Sequence, residues 1–303
     1  MQTLQELRAQ IQSTRDLGSI AKAMKALSAV RIRQSRETVA SLRRYADTVE
    51  QGLQIMLLGG AALPRPPVDR PSRKAVAVVV GSDLGMVGQF NTRIASFARE
   101  RLPGRVDAWE IIALGERVAS QLTSEGEEVT ARLHMPDTVE TMASRVRDLL
   151  IALEKIRARL APDLVLVFFN AYRSGASYEP VVLQLLPLDP SWLRELSERD
   201  WPERVLPGFN ADRDELMSSV VREHLFVSLM RSIAESHASE NASRLAAMES
   251  AERRIEERLS DLTGRMNQSR QQKMTEELLD ILTGAKALEE REKDRHDERS
   301  DER

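Results

Sequence analysis

The sequence predicts a small α/β domain inserted between two long helices, one at each end of the chain. All 12 prolines lie between Pro64 and Pro207, so both ends lack the residue that most strongly breaks helices. Both ends carry apolar residues at steps of three and four, which indicates helices, whereas the middle carries short apolar runs of strand length. We therefore predict a helix over 1–63, an α/β domain and linker over 64–210, a helix over 211–288 and a charged tail over 289–303.

The first helix is predicted from its apolar stripe and its end signals. Leu17, Ile20, Met24 and Leu27 are the clearest part of the stripe. The stripe predicts a helix of roughly 55 residues, and Gly59-Gly60 before the first proline supplies its end.

The last helix is predicted to be too long for a compact domain to bury. Its stripe runs through Leu245, Met248, Ile255, Leu259 and Leu262 and continues beyond them. At 1.5 Å per residue, some 70 helical residues span on the order of 100 Å. Such a helix pairs with the first one, is surrounded by a partner, or both. The net charges of +4 over 1–63 and −6 over 211–303 favour pairing within one chain.

The middle segment alternates between strand and helix. The candidate strands are Ala75–Val80, Glu110–Leu114, Leu164–Phe169 and Val181–Leu186, and the candidate helices are Gln89–Leu102, Glu116–Ser124 and Thr138–Leu160. This alternation predicts a largely parallel sheet. Residues 172–180 and 187–207 are predicted to be loop and linker.

One glycine-rich turn follows the first strand, over Gly81–Asn91. A turn of this kind is where an α/β fold can bind a phosphate. Its spacing matches neither G-x-G-x-x-G nor G-x-x-x-x-G-K-[ST], and no lysine follows it to reach a phosphate. We therefore interpret it as a tight turn in which Ser82 or Asp83 caps the next helix. Its structural residues are Ser82, Asp83, Gly85, Gly88 and Asn91.

No pattern in the sequence indicates chemistry of its own. The chain has no cysteine, and His134, His224, His237 and His296 lack the spacing of metal ligands, so we expect no metal and no cofactor. A net charge of −3 with a pI near 6.0 argues against nucleic acid as a partner. No apolar run reaches the roughly 18 residues of a membrane helix, so we expect a soluble protein whose membrane contact comes only through partners. A scaffold or mechanical element is favoured over an enzyme.

Three stretches, in order along the chain, resemble the γ subunit of F-type rotary ATP synthases. Leu7–Arg33 is similar to the family's opening helix through Thr14, Ile20, Lys22, Ala23 and Met24. The turn Gly81–Asn91 is similar to the family's S-D-x-G-L-C-G-x-F-N. Most specific is Ala238–Leu288, where SENASRLAAM and NQSRQQKMTEELLDILTGAKAL match the closing helix. Leu84, Val87 and Gln89 depart from the family's turn and resemble its alternate, sodium-associated bacterial type.

The resemblance implies a non-catalytic rotor shaft. It implies an antiparallel coiled coil of the terminal helices with a Rossmann-like α/β domain between them. The implied partners are three α and three β subunits, the ε subunit and the membrane c-subunit ring, and the implied location is the cytoplasmic face of the bacterial inner membrane. By the same resemblance, Met24, Lys25, Arg270, Gln271 and Thr275 would contact the β subunit.

Two other functions stay open at this point. An α/β enzyme with a helical dimerisation stalk would bind its substrate or nucleotide at Gly81–Asn91. A coiled-coil adaptor unrelated to ATP synthesis would pair its helices between two copies of the chain. Neither the coupling ion nor the direction of the reaction can be read from this chain.

Overall fold

A computed structural model describes residues 3–58, 74–102, 106–175, 177–201, 204–205 and 207–301. The helices are α1 (Leu4–Leu58), α2 (Phe90–Arg101), α3 (Glu116–Ser124), α4 (Val139–Leu160), α5 (Pro190–Glu198) and α6 (Arg213–Asp301). The strands are β1 (Lys74–Val80), β2 (Ala108–Leu114), β3 (Val129–Leu133), β4 (Leu164–Ser174) and β5 (Ser177–Leu186). The chain forms two compact units, Met1–Ala23 with Glu249–Arg303, and Met24–Met248. The predicted helix end at Gly59-Gly60 lies outside the described residues.

The larger unit contains one sheet with strand order β3-β2-β1-β4-β5. The first four of these strands pair in parallel, and β5 pairs antiparallel with β4. The predicted α/β class is confirmed. The prediction of a loop over 172–180 was wrong, because this stretch contains the end of β4 and the beginning of β5, which form a hairpin. Two further elements were missed: β3, which has only five residues, and α5, which begins at Pro190 inside the proline-containing stretch 187–207 that was predicted to be linker.

Helices cover both faces of the sheet, as its apolar strands require. On one face, alternate residues of β1 (Val76, Val78 and Val80) pack in a core that also contains residues of α1, α4 and α6. On the other face, Ala75, Ala77 and Val79 pack with residues of α2 and α3. Helix α6 is therefore part of the domain core in its first half.

The terminal helices pair antiparallel within each unit. In the smaller unit, Leu7 and Ile11 of α1 pack against Leu262 of α6, with Leu259 and Met266 beside them. In the larger unit, Ser35 contacts His237, whereas Tyr45, later in α1, donates a hydrogen bond to Glu223, earlier in α6 (2.9 Å). Pairing within one chain, predicted from the opposite charges, is confirmed in both units.

Between Leu17 and Leu27 the predicted packing face of α1 was displaced by one residue, whereas the stripe is buried at Leu7 and Ile11. Leu17, Ile20 and Leu27 are each more than half exposed, whereas small residues, including Ala21, Ser28 and Ser35, are buried. Small side chains let two helix axes approach closely, so the contact with α6 favours them over the bulkier residues of the stripe. Leu17, Ile20 and Leu27 therefore lie on the outer face of α1.

Helix α6 continues beyond the predicted boundary at residue 288. Its backbone is helical to Asp301, so the helix extends into the charged tail predicted over 289–303. Glutamate and arginine favour helix, and more so when opposite charges recur three or four residues apart; residues 289–303 contain five glutamates and four arginines. Within the described ranges, no helix is long and apolar enough to span a lipid bilayer.

A second feature of α6 is a polar segment, residues 232–244, in which every residue is buried. The segment contains Ser232, Glu235, Ser236, His237, Ser239, Glu240, Asn241, Ser243 and Arg244. Its central ion pair joins Arg244 Nη2 to Glu240 Oε1 at 2.7 Å, and both side chains are less than a tenth exposed. Burial raises the pKa of the Glu240 carboxyl, although the Arg244 guanidinium acts in the opposite direction. We refer to residues 232–244 as the buried segment.

His237 joins the buried segment to α1. Its Nδ1 atom lies 2.8 Å from Ser35 Oγ. Burial is the main reason that the pKa of His237 falls from 6.5 to about 4, with the Arg31 and Arg244 guanidinium groups contributing. Asp137 acts in the opposite direction but more weakly. The imidazole is therefore neutral at pH 7 in the folded chain.

This histidine makes the stability of the chain depend on pH. Between pH 6.5 and about 4 the unfolded chain binds a proton at His237 that the folded chain does not, so the unfolding free energy falls as pH falls through that window. A full shift of this size corresponds to about 3 kcal/mol. We expect His237→Gln to flatten this part of the profile, measured by urea unfolding at a series of pH values.

The control is His134→Gln, which removes an exposed histidine and should keep the profile of the unaltered chain. An equally steep profile in His237→Gln would contradict the assignment.

Candidate functional site

The turn after β1 is held by hydrogen bonds between its first and last residues. The backbone N–H of Ser82 donates to Asn91 Oδ1 (3.0 Å), and Asn91 Nδ2 donates to Ser82 Oγ (2.8 Å). Ser82 Oγ in turn donates to the carbonyl oxygen of Leu84 (2.9 Å). The side chains of Ser82 and Asn91 thus satisfy one another and are not free to bind a phosphate.

Asp83 caps a helix, but a different one from the helix predicted. Helix α2 has Gln89 at its N-cap and no side-chain hydrogen bond there. Asp83 Oδ1 instead accepts from the N–H of Glu116, the first residue of α3 (2.8 Å), and Oδ2 accepts from the N–H of Met135 (2.9 Å). Because the carboxyl ends of neighbouring parallel strands lie side by side, Asp83 can join the ends of three of them.

The glycines of this region have unequal roles. Gly88 has φ of +54°, and Met86, not Gly85, is the other left-handed residue of the turn. A Cβ atom at Gly85 would meet nothing closer than 3.8 Å. Glycine is required most strictly at Gly81, where a Cβ atom would overlap Val118 Cβ, and at Gly115, after β2, where φ is +118° and a Cβ atom would lie 2.8 Å from the backbone of Ser82.

Helix α6 lies where doubly wound sheets bind their ligands. In such sheets the ligand crevice opens at the carboxyl ends of the two strands between which the strand order reverses, here β1 and β4. At the end of β1, Ser243 Oγ donates to the carbonyl oxygen of Val87 (2.7 Å). On β4, two residues beyond its last pair with β1, Ser239 Oγ lies 2.9 Å from the carbonyl oxygen of Asn170. Ser239 and Ser243, both in the buried segment, therefore occupy the position where a sheet of this kind binds its ligand.

These serines were not singled out as site residues from the sequence. The available signal was the run of polar residues on every side of a helix, interrupted by Ala234, Ala238 and Ala242. A helix exposed to solvent carries the same kind of polar run, so the sequence alone does not distinguish a buried polar helix from an exposed one. In the parts of the chain that the structure describes, no group of acidic or histidine side chains could hold a metal ion.

The residues that the resemblance assigned to β-subunit contact lie on two helices. Met24 and Lys25 are half-buried on α1. Arg270, Gln271 and Thr275 are exposed on α6, and Thr275 Oγ1 donates to the carbonyl oxygen of Gln271 (3.0 Å). The two groups belong to different compact units.

The exposed part of α6 carries an unusual number of large apolar side chains. Each is at least 46% exposed: Met274, Leu278, Leu279, Ile281 and Leu282. All residues from 270 to 286 are exposed. Contiguous apolar surface of this kind marks a protein contact in a soluble chain.

Comparison with known proteins identifies a family over nearly the whole chain. Residues 3–288 match the family model described as ATP synthase. The ATP synthase gamma chain of Anaeromyxobacter sp. (strain K) is 32% identical over 300 residues, covering 95% of this chain and 100% of the relative. The gamma chain of Geotalea daltonii is 30% identical, with 95% and 99% covered.

Solved structures agree on the fold. A chain of the Euglena gracilis mitochondrial ATP synthase, from a structure of OSCP, F1 and c-ring, aligns with a TM-score of 0.65 over 94% of each chain at 19% identity. A rotor chain from the same organism aligns with a TM-score of 0.61 over 89% of this chain and 98% of that one. The family indicated by the three sequence stretches is confirmed, and the chain belongs to the ATP synthase gamma chains.

Proposed function

We propose that this chain is the central rotor shaft of an F-type ATP synthase, coupling ion flow through a membrane c-subunit ring to ATP synthesis or hydrolysis. The observation that carries the proposal is the match to gamma chains from end to end, including both terminal helices. The chain is a non-catalytic subunit, so its contribution is mechanical: it moves, and its partners carry out the chemistry.

Three α and three β subunits, ε and the c ring are the proposed partners. Exposed apolar residues at the end of α6 support a surrounding partner, because nothing in the described chain covers Leu278, Ile281 or Leu282. A single helix cannot present the same face to three identical sites. Its asymmetry favours a different open or closed state in each β subunit, and rotation moves that preference from one site to the next.

The two rival functions are less well supported. A substrate or nucleotide at Gly81–Asn91 would compete with Ser239 and Ser243 for the same crevice. A homodimeric adaptor would need free helices, whereas α1 and α6 pair within one chain in both units. Neither rival accounts for the match to gamma chains.

We place the working subunit at the cytoplasmic face of a bacterial inner membrane, held there through its partners. The curated relatives described above are bacterial gamma chains, which supports this location. The division at residues 63, 210 and 288, and the sodium-associated type indicated by Leu84, Val87 and Gln89, stay predictions.

Co-purification tests the proposed function. The tagged chain, isolated from its native host in mild detergent, should be recovered in an ATP-hydrolysing assembly with one copy of this chain to three each of two larger subunits. Native mass spectrometry gives the stoichiometry. A homodimer without ATPase partners would contradict the proposal.

Arg270 and Gln271 are proposed to contact the β subunit where it meets α6. Arg270→Ala or Gln271→Ala should lower ATP turnover more than assembly, because the exposed side chains contribute little within the chain itself. A loss of about 1.4 kcal/mol of transition-state stabilisation gives about a ten-fold slower turnover. Turnover is measured per assembled complex.

Glu276→Ala is the matched control, since Glu276 is also exposed but points about 100° or more around the helix from Arg270, Gln271 and Thr275. Normal turnover in assembled Arg270→Ala and Gln271→Ala complexes would exclude this contact.

A further inference from the structure

The contact between α6 and the sheet combines two kinds of interaction. The first kind is apolar: Leu229, Ile233 and Ala234, which precede Ser239 in α6, pack in the apolar core that contains Val76, Val78 and Val80. Apolar packing is non-directional, so it opposes separation of the helix from the sheet more than sliding or turning of the helix against it. Resistance to turning has to come from directed contacts.

The directed contacts lie at the crevice. Ser243 Oγ donates to Val87 O (2.7 Å), and Ser239 Oγ lies 2.9 Å from Asn170 O, with Glu235 O of its own helix at the same distance. Asn170 Nδ2 also donates to the carbonyl oxygen of Phe90 (3.3 Å). Both serines are buried, and both reach main-chain carbonyls, whose positions the sheet and the turn fix.

The polar character of this junction is not explained by stability alone. Asn170 Oδ1, Ser236 Oγ, Asn241 Oδ1 and Arg244 Nε are buried without a hydrogen-bond partner in the described residues. Each such atom costs free energy, and an apolar junction of the same shape would avoid that cost. Hydrogen bonds have a preferred direction, so the hydrogen bonds at this position limit how far α6 can turn against the sheet.

We propose that Ser239 and Ser243 fasten the α/β domain to α6 so that the two rotate as one body, and that they are positioning residues for coupling ion flow to ATP turnover. The inference rests on the proposed rotor function. The crevice that would hold a ligand in another α/β protein holds a helix of the same chain here, and the serines fix the angle between them.

Ser239→Ala/Ser243→Ala in the holoenzyme tests the inference. Alanine has a higher helix propensity than serine and leaves no large cavity, so folding and assembly should be kept. The measurement is the number of ions moved per ATP hydrolysed in inverted membrane vesicles, with both proton and sodium uptake recorded. Because the variant lacks both hydroxyls that reach the sheet and the turn, we expect this ratio to fall about two-fold or more while hydrolysis per complex persists.

Ser232→Ala/Ser236→Ala is the matched control. Both residues are buried in the same segment, but Ser232 Oγ bonds only within its own helix and Ser236 Oγ has no partner in the described chain. The control should keep the ratio of the unaltered enzyme.

An unchanged ratio in Ser239→Ala/Ser243→Ala would overturn the inference, as would an equal loss in the control. If the unaltered chain is absent from any ATP-hydrolysing complex, the proposed function fails together with the inference. If the unaltered complex couples normally and the variant does too, the inference alone fails.

Discussion

Complete burial of residues 232–244 is the constraint on which the larger unit depends. On one side of this segment His237 contacts Ser35 of α1, and on another Ser239 and Ser243 reach main-chain carbonyls of β4 and of the turn after β1. Most polar side chains of the segment have a hydrogen-bond partner, as buried polar groups require, whereas Ser236 Oγ, Asn241 Oδ1 and Arg244 Nε have none in the described residues. The segment therefore fixes the packing of α1, α6 and the sheet together.

The same constraint separates this fold from the enzymes that share its topology. A doubly wound sheet offers a ligand crevice at its topological switch point, and here α6 lies in that crevice. In the turn after β1, the side chain of Asn91 bonds to Ser82 and the side chain of Asp83 bonds to the first residue of α3, so neither is free to bind a phosphate. Exposed apolar residues appear instead at the far end of α6, where a partner has to cover them.

Periodicity and proline placement predicted both long helices and the alternation of strand and helix. They did not predict which face of α1 is buried, because a stripe of leucine and isoleucine resembles a packing face even when alanine and serine form the contact, as at Ala21 and Ser28. Strand β3 and helix α5 carry patterns of their own, the alternation of Val129–Leu133 and the N-cap Asp189 before Pro190, but both are short and α5 lies among prolines that also indicate a linker. The helix over residues 232–244 was predicted but its burial could not be, since the same polar residue types occur on helices exposed to solvent and in a polar interior.

Rotation of the α/β domain tests the central claim most directly. The chain has no cysteine, so Glu128→Cys, at an exposed position before β3, gives a unique attachment site for a bead. With the catalytic subunits fixed to a surface, ATP should drive one-way rotation of the bead with three pauses per turn. Continued ATP hydrolysis with a stationary or freely diffusing bead would contradict the rotation of this domain with the shaft.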